Sequence, residues 1–80
     1  MELVNLTEYL VKQLLPEVED ITVKQIDSEG DTVIQVLVPN ENMSAVIGKG
    51  GSIANSIRTL VQAASYLQDN KYVKINIENF

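Results

Sequence analysis

Three glycines and a lysine fall within four positions of the segment VIGKGGSIANSIRTL, which spans residues 46–60. Glycine adopts backbone angles that a side chain forbids, and it lets the backbone come close to a ligand. An amphipathic helix is predicted to follow, so free N–H groups and the positive end of the helix dipole face this loop. Anions bind at such helix ends, and Lys49 adds a mobile positive charge. Gly48, Lys49, Gly50 and Gly51 are therefore predicted to hold a phosphate.

The spacing of the loop separates it from the two common nucleotide-binding motifs. A P-loop requires GxxxxGK followed by Ser or Thr directly after a strand, but here Gly50 follows Lys49 and a helix is predicted before the loop. A dinucleotide fingerprint fails because Ile53 stands where the last glycine of GxGxxG belongs. A GxxG loop between two short helices is instead the element with which KH domains clamp a nucleic-acid backbone.

The composition predicts one small domain, residues 1–80, that is not an enzyme. The chain contains neither cysteine nor histidine, which excludes disulfides, thiolate chemistry and histidine-based metal sites or general bases. Its serines, lysines and carboxylates show no spacing typical of a nucleophile with an oriented base. We therefore expect no catalytic residue, no metal and no cofactor.

The sequence also predicts a soluble, cytoplasmic protein that does not enter a membrane. The first residues, MELVNLTEYL, carry acid where a signal peptide would carry positive charge. No apolar run approaches the length of a membrane span.

The negative charge of the chain is concentrated away from the glycine loop. The net charge is −5, but residues 1–42 hold nine acids and only two lysines. Residues 43–68 hold Lys49 and Arg58 and no acid, and residues 69–80 are balanced. The loop thus lies in the one long acid-free stretch, where an anionic ligand is not repelled.

The hydrophobic pattern predicts the order α-β-β-α-α-β. A first helix is closed by Pro16, two strands over residues 21–27 and 32–38 form a hairpin around the turn 28–31, and a short helix over 41–47 precedes the loop. Asn40 is a candidate cap for that short helix. A longer helix then runs to about Leu67, and a last strand covers residues 72–77. This order predicts an α+β fold in which a three-stranded sheet carries its helices on one face.

The apolar residues of the two long helices predict which faces are buried. The first helix has an unusually wide apolar arc, for which we favour burial in the core over contact with a second subunit. In the long helix the residues predicted to face inward are Ile53, Ile57, Leu60, Val61, Ala64 and Leu67. Tyr66 and Tyr72 are expected to cover the edges of the core. Three tyrosines, one phenylalanine and no tryptophan argue against stacking platforms of the RRM type.

Across nearly its whole length the chain resembles the KhpA family, small bacterial RNA-binding proteins that consist of a single type II KH domain. The resemblance is carried by Leu10-Val11-Lys12, by the segment 46–51, and by Ala54, residues 57–61 and Ala63-Ala64. It implies cytoplasmic binding of single-stranded RNA, RNA-chaperone or post-transcriptional activity, self-association, and pairing with the KH-containing protein KhpB. In some bacteria that pair is linked to cell shape.

Eight residues are predicted to contact RNA. In KH domains aliphatic residues near the loop form the floor of the groove that receives bases, which makes Ile47 and Ile53 candidates. Arg58 is open between a phosphate contact and an ordinary solvated or acid-paired role. The full prediction is Ile47, Gly48, Lys49, Gly50, Gly51, Ser52, Ile53 and Arg58.

The sequence departs from the family where Ser52, Asn55 and Gln62 occupy positions at which relatives often carry Arg or Lys. Each missing charge removes one potential phosphate contact. A single copy is then expected to bind RNA weakly, and a dimer or partner could restore affinity through avidity. The alternative hypothesis is a protein-interaction or dimerisation module on a KH scaffold with little intrinsic RNA affinity.

Overall fold

A computed structural model describes residues 2–80 and contains three helices and three strands in the predicted order. Two short 3-10 turns, Asn40–Asn42 and Lys49–Gly51, precede the second and third helices. The elements are α1 Leu3–Leu14, β1 Thr22–Ser28, β2 Asp31–Val38, α2 Met43–Ile47, α3 Ser52–Asp69 and β3 Val73–Asn79.

The three strands form one mixed sheet with β2 in the centre. β1 pairs with β2 in antiparallel orientation, whereas β3 pairs with β2 in parallel orientation. Alternate residues of β2 are buried from Thr32 to Val38, and the core side chains of α1, α2 and α3 pack on that face. The predicted α+β architecture, with helices on one face of a three-stranded sheet, is confirmed.

The β1–β2 hairpin is tighter than the sequence pattern predicted. Ser28 and Asp31 pair with each other, so only Glu29 and Gly30 lie in the turn. Both have positive φ angles, 49° and 86°, which is typical of two-residue turns that follow the twist of the strands.

The wide apolar arc of α1 is mostly covered by the core, as the favoured interpretation required. Leu3, Val11 and Leu15 are buried, while Leu14 at the end of the helix is 43% exposed. Thr7 is also fully buried, because its hydroxyl donates to the Leu3 carbonyl over 2.7 Å and is thereby satisfied inside the core.

The buried stripe of α3 differs from the predicted one. It consists of Ala54, Ile57, Val61 and Ser65. Two small residues, Ala54 and Ser65, are buried at its ends, so the stripe is rotated away from the leucines. The prediction that Leu60 and Leu67 face inward is wrong, because they are 49% and 88% exposed.

Asn40 does not cap the short helix. Its side-chain oxygen accepts a hydrogen bond of 2.8 Å from Asn79 at the end of β3, and neither the 3-10 turn nor α2 has a side-chain cap. The long-range contact ties the α2 end of the molecule to the sheet. Within residues 2–80, no helix combines the length and apolarity needed to cross a bilayer.

Candidate nucleic-acid interface

The glycine loop is shaped by a close approach of Gly48 to the first turn of α3. Gly48 has φ 78° and ψ 175°, a conformation essentially restricted to glycine. A Cβ atom built on Gly48 would lie 2.8 Å from Cγ1 of Ile53 and 3.0 Å from its backbone nitrogen. Real Cβ atoms essentially never come within 3.0 Å of another heavy atom, so any side chain at position 48 would force Ile53 to shift, in addition to the strain of the positive φ angle.

The tip of the loop, Lys49 and Gly50, faces solvent and carries free donors. The N–H of Gly48 donates to the Ser44 carbonyl over 2.9 Å, and that of Gly51 donates to Gly48 over 3.2 Å. No acceptor within the described residues faces the N–H of Lys49 or Gly50. Two adjacent free N–H groups beside an exposed lysine are a suitable arrangement for an anion.

The predicted neighbours of the loop divide into exposed and packed residues. Ile47, the last residue of α2, is 40% exposed beside the glycines. Ile53 is half-buried against Gly48. Ser52 is exposed, and its N–H donates to the Lys49 carbonyl, so the backbone of this residue is already engaged.

Asn55 lies between Arg58 and the loop. A Cβ atom on Gly51 would lie 3.4 Å from the side-chain nitrogen of Asn55, and the Asn55 oxygen is 3.5 Å from Nη1 of Arg58. Nε of Arg58 also donates to the Ile75 carbonyl of β3 over 3.3 Å. In the part of the chain that the structure describes, the partners of the Arg58 guanidinium are this carbonyl and Asn55, and no acid is paired with it.

Beyond Arg58 an open groove of about 690 Å³ lies between the exposed sides of α3 and β3. Two cations, Arg58 and Lys74, contribute to its walls, and none of the residues that form the walls is acidic. The groove is lined by Arg58, Thr59, Gln62, Ala63, Tyr66, Tyr72, Val73, Lys74, Ile75 and Asn76. The acid-free neighbourhood of the loop in the sequence therefore extends to an acid-free groove in space.

The sequence reasoning missed most of this groove. Tyr66 and Tyr72, which were expected to cover core edges, are 50% and 65% exposed and line it. The spacing of Arg58, Gln62 and Tyr66, each four residues after the last, places them along one side of a helix and could have revealed the α3 wall. The β3 wall depends on the parallel pairing of β3 with β2, which no local pattern indicates.

No group of three acidic, histidine or cysteine side chains that could bind a metal ion occurs among residues 2–80. The arrangement of the loop and groove can instead accommodate an extended anion. Phosphates would contact the free N–H groups and Lys49, and flat or apolar parts would enter the groove.

Comparison with known proteins places these features in a family context. A family model described as KhpA/KhpB, KH domain matches residues 4–77. A Clostridium perfringens protein named RNA-binding protein KhpA is 39% identical, over 91% of this chain and 96% of its own length. Proteins of the same name from Treponema pallidum and Listeria monocytogenes are 33% and 37% identical, over 85% and 78% of this chain and 85% and 82% of their own lengths.

Proposed function

Because this chain belongs to the KhpA/KhpB family of KH domains, we propose that it binds single-stranded RNA and that the loop Gly48–Gly51 grips the RNA backbone. The relatives named above are RNA-binding proteins, and a KH domain is a binding fold rather than a catalytic one, so the chain is not an enzyme. The single observation that carries the proposal is the solvent-facing pair of free N–H groups beside Lys49. KH domains hold about four nucleotides of backbone with such a loop.

The proposed site contains all eight predicted residues, which have different roles. Lys49 and Gly50 contact phosphate directly, and Gly48 and Gly51 give the loop its shape. Arg58 lies on α3, where it can contact the RNA further from the loop, and its Nη1 is 3.5 Å from the Asn55 oxygen. Ile47 directly precedes the loop, and Ser52 and Ile53 directly follow it.

The wider role follows from RNA binding. We propose that the protein acts in the cytoplasm, where bacterial RNA is found, as an RNA chaperone or post-transcriptional regulator. Pairing with a KhpB-like protein is part of this proposal, because the matching family model covers the KH domains of both KhpA and KhpB. A link to cell shape stays a prediction.

The test is a titration of fluorescent single-stranded RNA with the wild type and with the double variant Lys49→Asp, Gly50→Asp. Gly50 has φ 64° and ψ 19°, and a Cβ there would meet nothing within 4 Å. Aspartate tolerates this left-handed conformation better than most residues, so the variant should remain folded. We expect its RNA binding to be lost.

The chain offers a matched control for this variant. Lys24→Asp with Gly30→Asp makes the same two substitutions in the β1–β2 hairpin, where Lys24 is exposed and Gly30 also has positive φ and open space. The control changes net charge by the same amount away from the loop and should retain binding. Normal RNA binding by the folded loop variant would refute the clamp.

A second candidate function is dimerisation, and the exposed leucines of α3 favour it. Leu60 and Leu67 lie two turns apart on one side of the helix and are 49% and 88% exposed. Such an apolar stripe is stabilised when it is covered by another surface. We propose that a second copy covers it, so that two loops bind one RNA with avidity.

Light scattering tests this dimer with two leucine variants of similar exposure. Leu60→Glu should give a monomer, while Leu14→Glu at the end of α1, where the leucine is 43% exposed, should leave the mass unchanged. A dimer that persists in Leu60→Glu but is lost in Leu14→Glu would assign the interface to α1 instead. A wild-type dimer that ignores RNA would favour the interaction module over the RNA-binding protein.

A further inference from the structure

The far end of the α3–β3 groove has an aromatic character that the loop end lacks. Tyr66 lies on the last turns of α3 and Tyr72 directly before β3, and both rings border the same groove. They are 50% and 65% exposed, so neither ring is committed to the core. The third tyrosine, Tyr9 on α1, is similarly exposed at 57% but is not part of this groove.

Tyr72 is fixed against α3 by hydrogen bonds on both sides of it. The carbonyl of Lys71 accepts bonds from the Ser65 hydroxyl over 2.6 Å and from the Gln62 amide over 3.3 Å. The N–H of Val73 donates to the same Gln62 side chain over 3.2 Å. The backbone on either side of Tyr72 is thus attached to the helix that carries Tyr66. Less conformational entropy is then lost when a ligand binds to the two rings, because the backbone that carries them is already ordered.

The charge around the tyrosines suits a nucleic acid. Arg58 and Lys74 line the groove with them, and no acidic residue does. The groove begins near the glycine loop, since Asn55 lies beside Gly51 and its side-chain oxygen is 3.5 Å from Nη1 of Arg58, which lines the groove. A strand held at the loop can therefore run along α3, whose rise of 1.5 Å per residue separates Ser52 from Tyr66 by about 21 Å.

We propose that Tyr66 and Tyr72 form a stacking subsite for a nucleobase, which extends the RNA-binding surface beyond the nucleotides held at the loop. This inference rests on the proposed RNA-binding function. Every base has a π-face, so the subsite adds affinity with little sequence preference. It also compensates for the sparse positive charge of the loop region.

The primary experiment measures the affinity of wild type and variants for a twelve-nucleotide single-stranded RNA. Tyr66→Ala with Tyr72→Ala should bind about five- to 150-fold more weakly, the range found when stacking residues are truncated. Tyr66→Phe with Tyr72→Phe keeps both rings and should bind within about twofold of wild type. Tyr9→Ala removes an equally exposed ring elsewhere and should have no effect.

A spectroscopic measurement tests the same contact without destabilising substitutions. The chain has no tryptophan, so tyrosine emission reports on its three tyrosines alone. In Tyr9→Phe only Tyr66 and Tyr72 emit, and saturating RNA should quench them. In the Tyr66→Phe, Tyr72→Phe variant only Tyr9 emits, so this variant measures the absorption of light by RNA and should show no further quenching.

The outcomes separate this proposal from the proposed function. Unchanged affinity in the alanine variant, or equal quenching in the two phenylalanine variants, would overturn the stacking subsite even if the Lys49→Asp, Gly50→Asp variant had lost binding. Weaker binding in the alanine variant, together with quenching confined to Tyr66 and Tyr72, would support it. Normal binding by the loop variant would instead refute the clamp, whatever the tyrosines do.

Discussion

Two of the open concavities beside α3 differ in chemistry far more than in size. The α3–β3 groove has about 690 Å³, and a second concavity near the β1–β2 hairpin has about 850 Å³. The first contains two tyrosines and two cations without an acid, whereas the second contains three acids, one lysine and no aromatic residue. The second is lined by Glu2, Leu3, Gln25, Asp27, Thr32, Ser65, Gln68, Asp69 and Lys71.

The comparison shows that the two concavities differ in the charge of the residues that line them, so concave shape alone does not indicate which of them suits RNA. Neighbouring residues of α3, Ser65 and Tyr66, open to opposite concavities. The helix therefore separates an acid-free side from an acidic one. A phosphate strand should be repelled by the acids of the second concavity, whereas no acid lines the first.

The largest difference between the two sides is expected when alanine replaces a glycine on each. Gly48→Ala brings a Cβ within 2.8 Å of Ile53 in a conformation that only glycine adopts readily. Gly30→Ala, in the hairpin beside the acidic concavity, meets open space at φ 86°. Gly48→Ala should lower the unfolding free energy by about 2–5 kcal/mol, from strain and overpacking together, and Gly30→Ala by about 1 kcal/mol.

Urea denaturation of both glycine variants measures these costs. Under conditions in which both variants remain folded, RNA affinity should fall for Gly48→Ala alone, because the loop must shift to relieve the contact with Ile53. Equal stability of the two variants would show that the loop accommodates a side chain at position 48 without strain.

A smaller effect is expected when one glutamate is added to each side of α3. Ala63→Glu places an acid in the α3–β3 groove, and Gln68→Glu places one in the concavity that already holds three. Ala63→Glu should weaken RNA binding about tenfold at low salt, by repulsion and by partial filling of the groove. Gln68→Glu should leave the affinity within about twofold of wild type, as measured by fluorescence anisotropy.

The glutamate variants can also show that RNA binds at the acidic concavity. If Gln68→Glu weakened binding and Ala63→Glu did not, RNA would follow the acidic side, and the assignment of the groove would be wrong. Both residues are exposed on the same helix, so a difference in helix propensity alone is too small to produce the expected contrast.

The features that could be predicted from the sequence are those formed by residues that are close together in the chain. The order of elements, the glycine loop and its acid-free stretch follow from periodicity, spacing and charge along the chain. The two concavities could not be predicted from local patterns. The position of β3 beside α3 depends on its parallel pairing with β2, and the second concavity joins α3 to residues of β1 and β2 that are distant in the sequence. Asn40 illustrates the same limit, since a residue 39 positions away occupies its side chain.

The leucines of α3 show why helical periodicity assigns a buried face imprecisely. An apolar arc includes every leucine, but packing against the sheet favours small residues where the helix comes closest. Ala54 and Ser65 therefore take positions in the buried stripe, and Leu60 and Leu67 are left outside it. Hydrophobicity indicated that α3 packs on the core, and side-chain size determined which of its sides does so.

The smallest and most specific effect is expected in the salt dependence of binding. If Lys49, Arg58 and Lys74 each neutralise one phosphate, the logarithm of affinity should fall with the logarithm of salt concentration with a slope of about −2, since single strands contribute about −0.7 per contact. Arg58→Gln should reduce the slope to about −1.4 and weaken binding three- to tenfold, an order-of-magnitude estimate for one lost contact. Lys71→Gln removes the one lysine of the acidic concavity and should change neither quantity. Because both variants lose one positive charge, a general effect of net charge would alter both slopes equally, whereas a strand bound along the α3–β3 groove alters only that of Arg58→Gln.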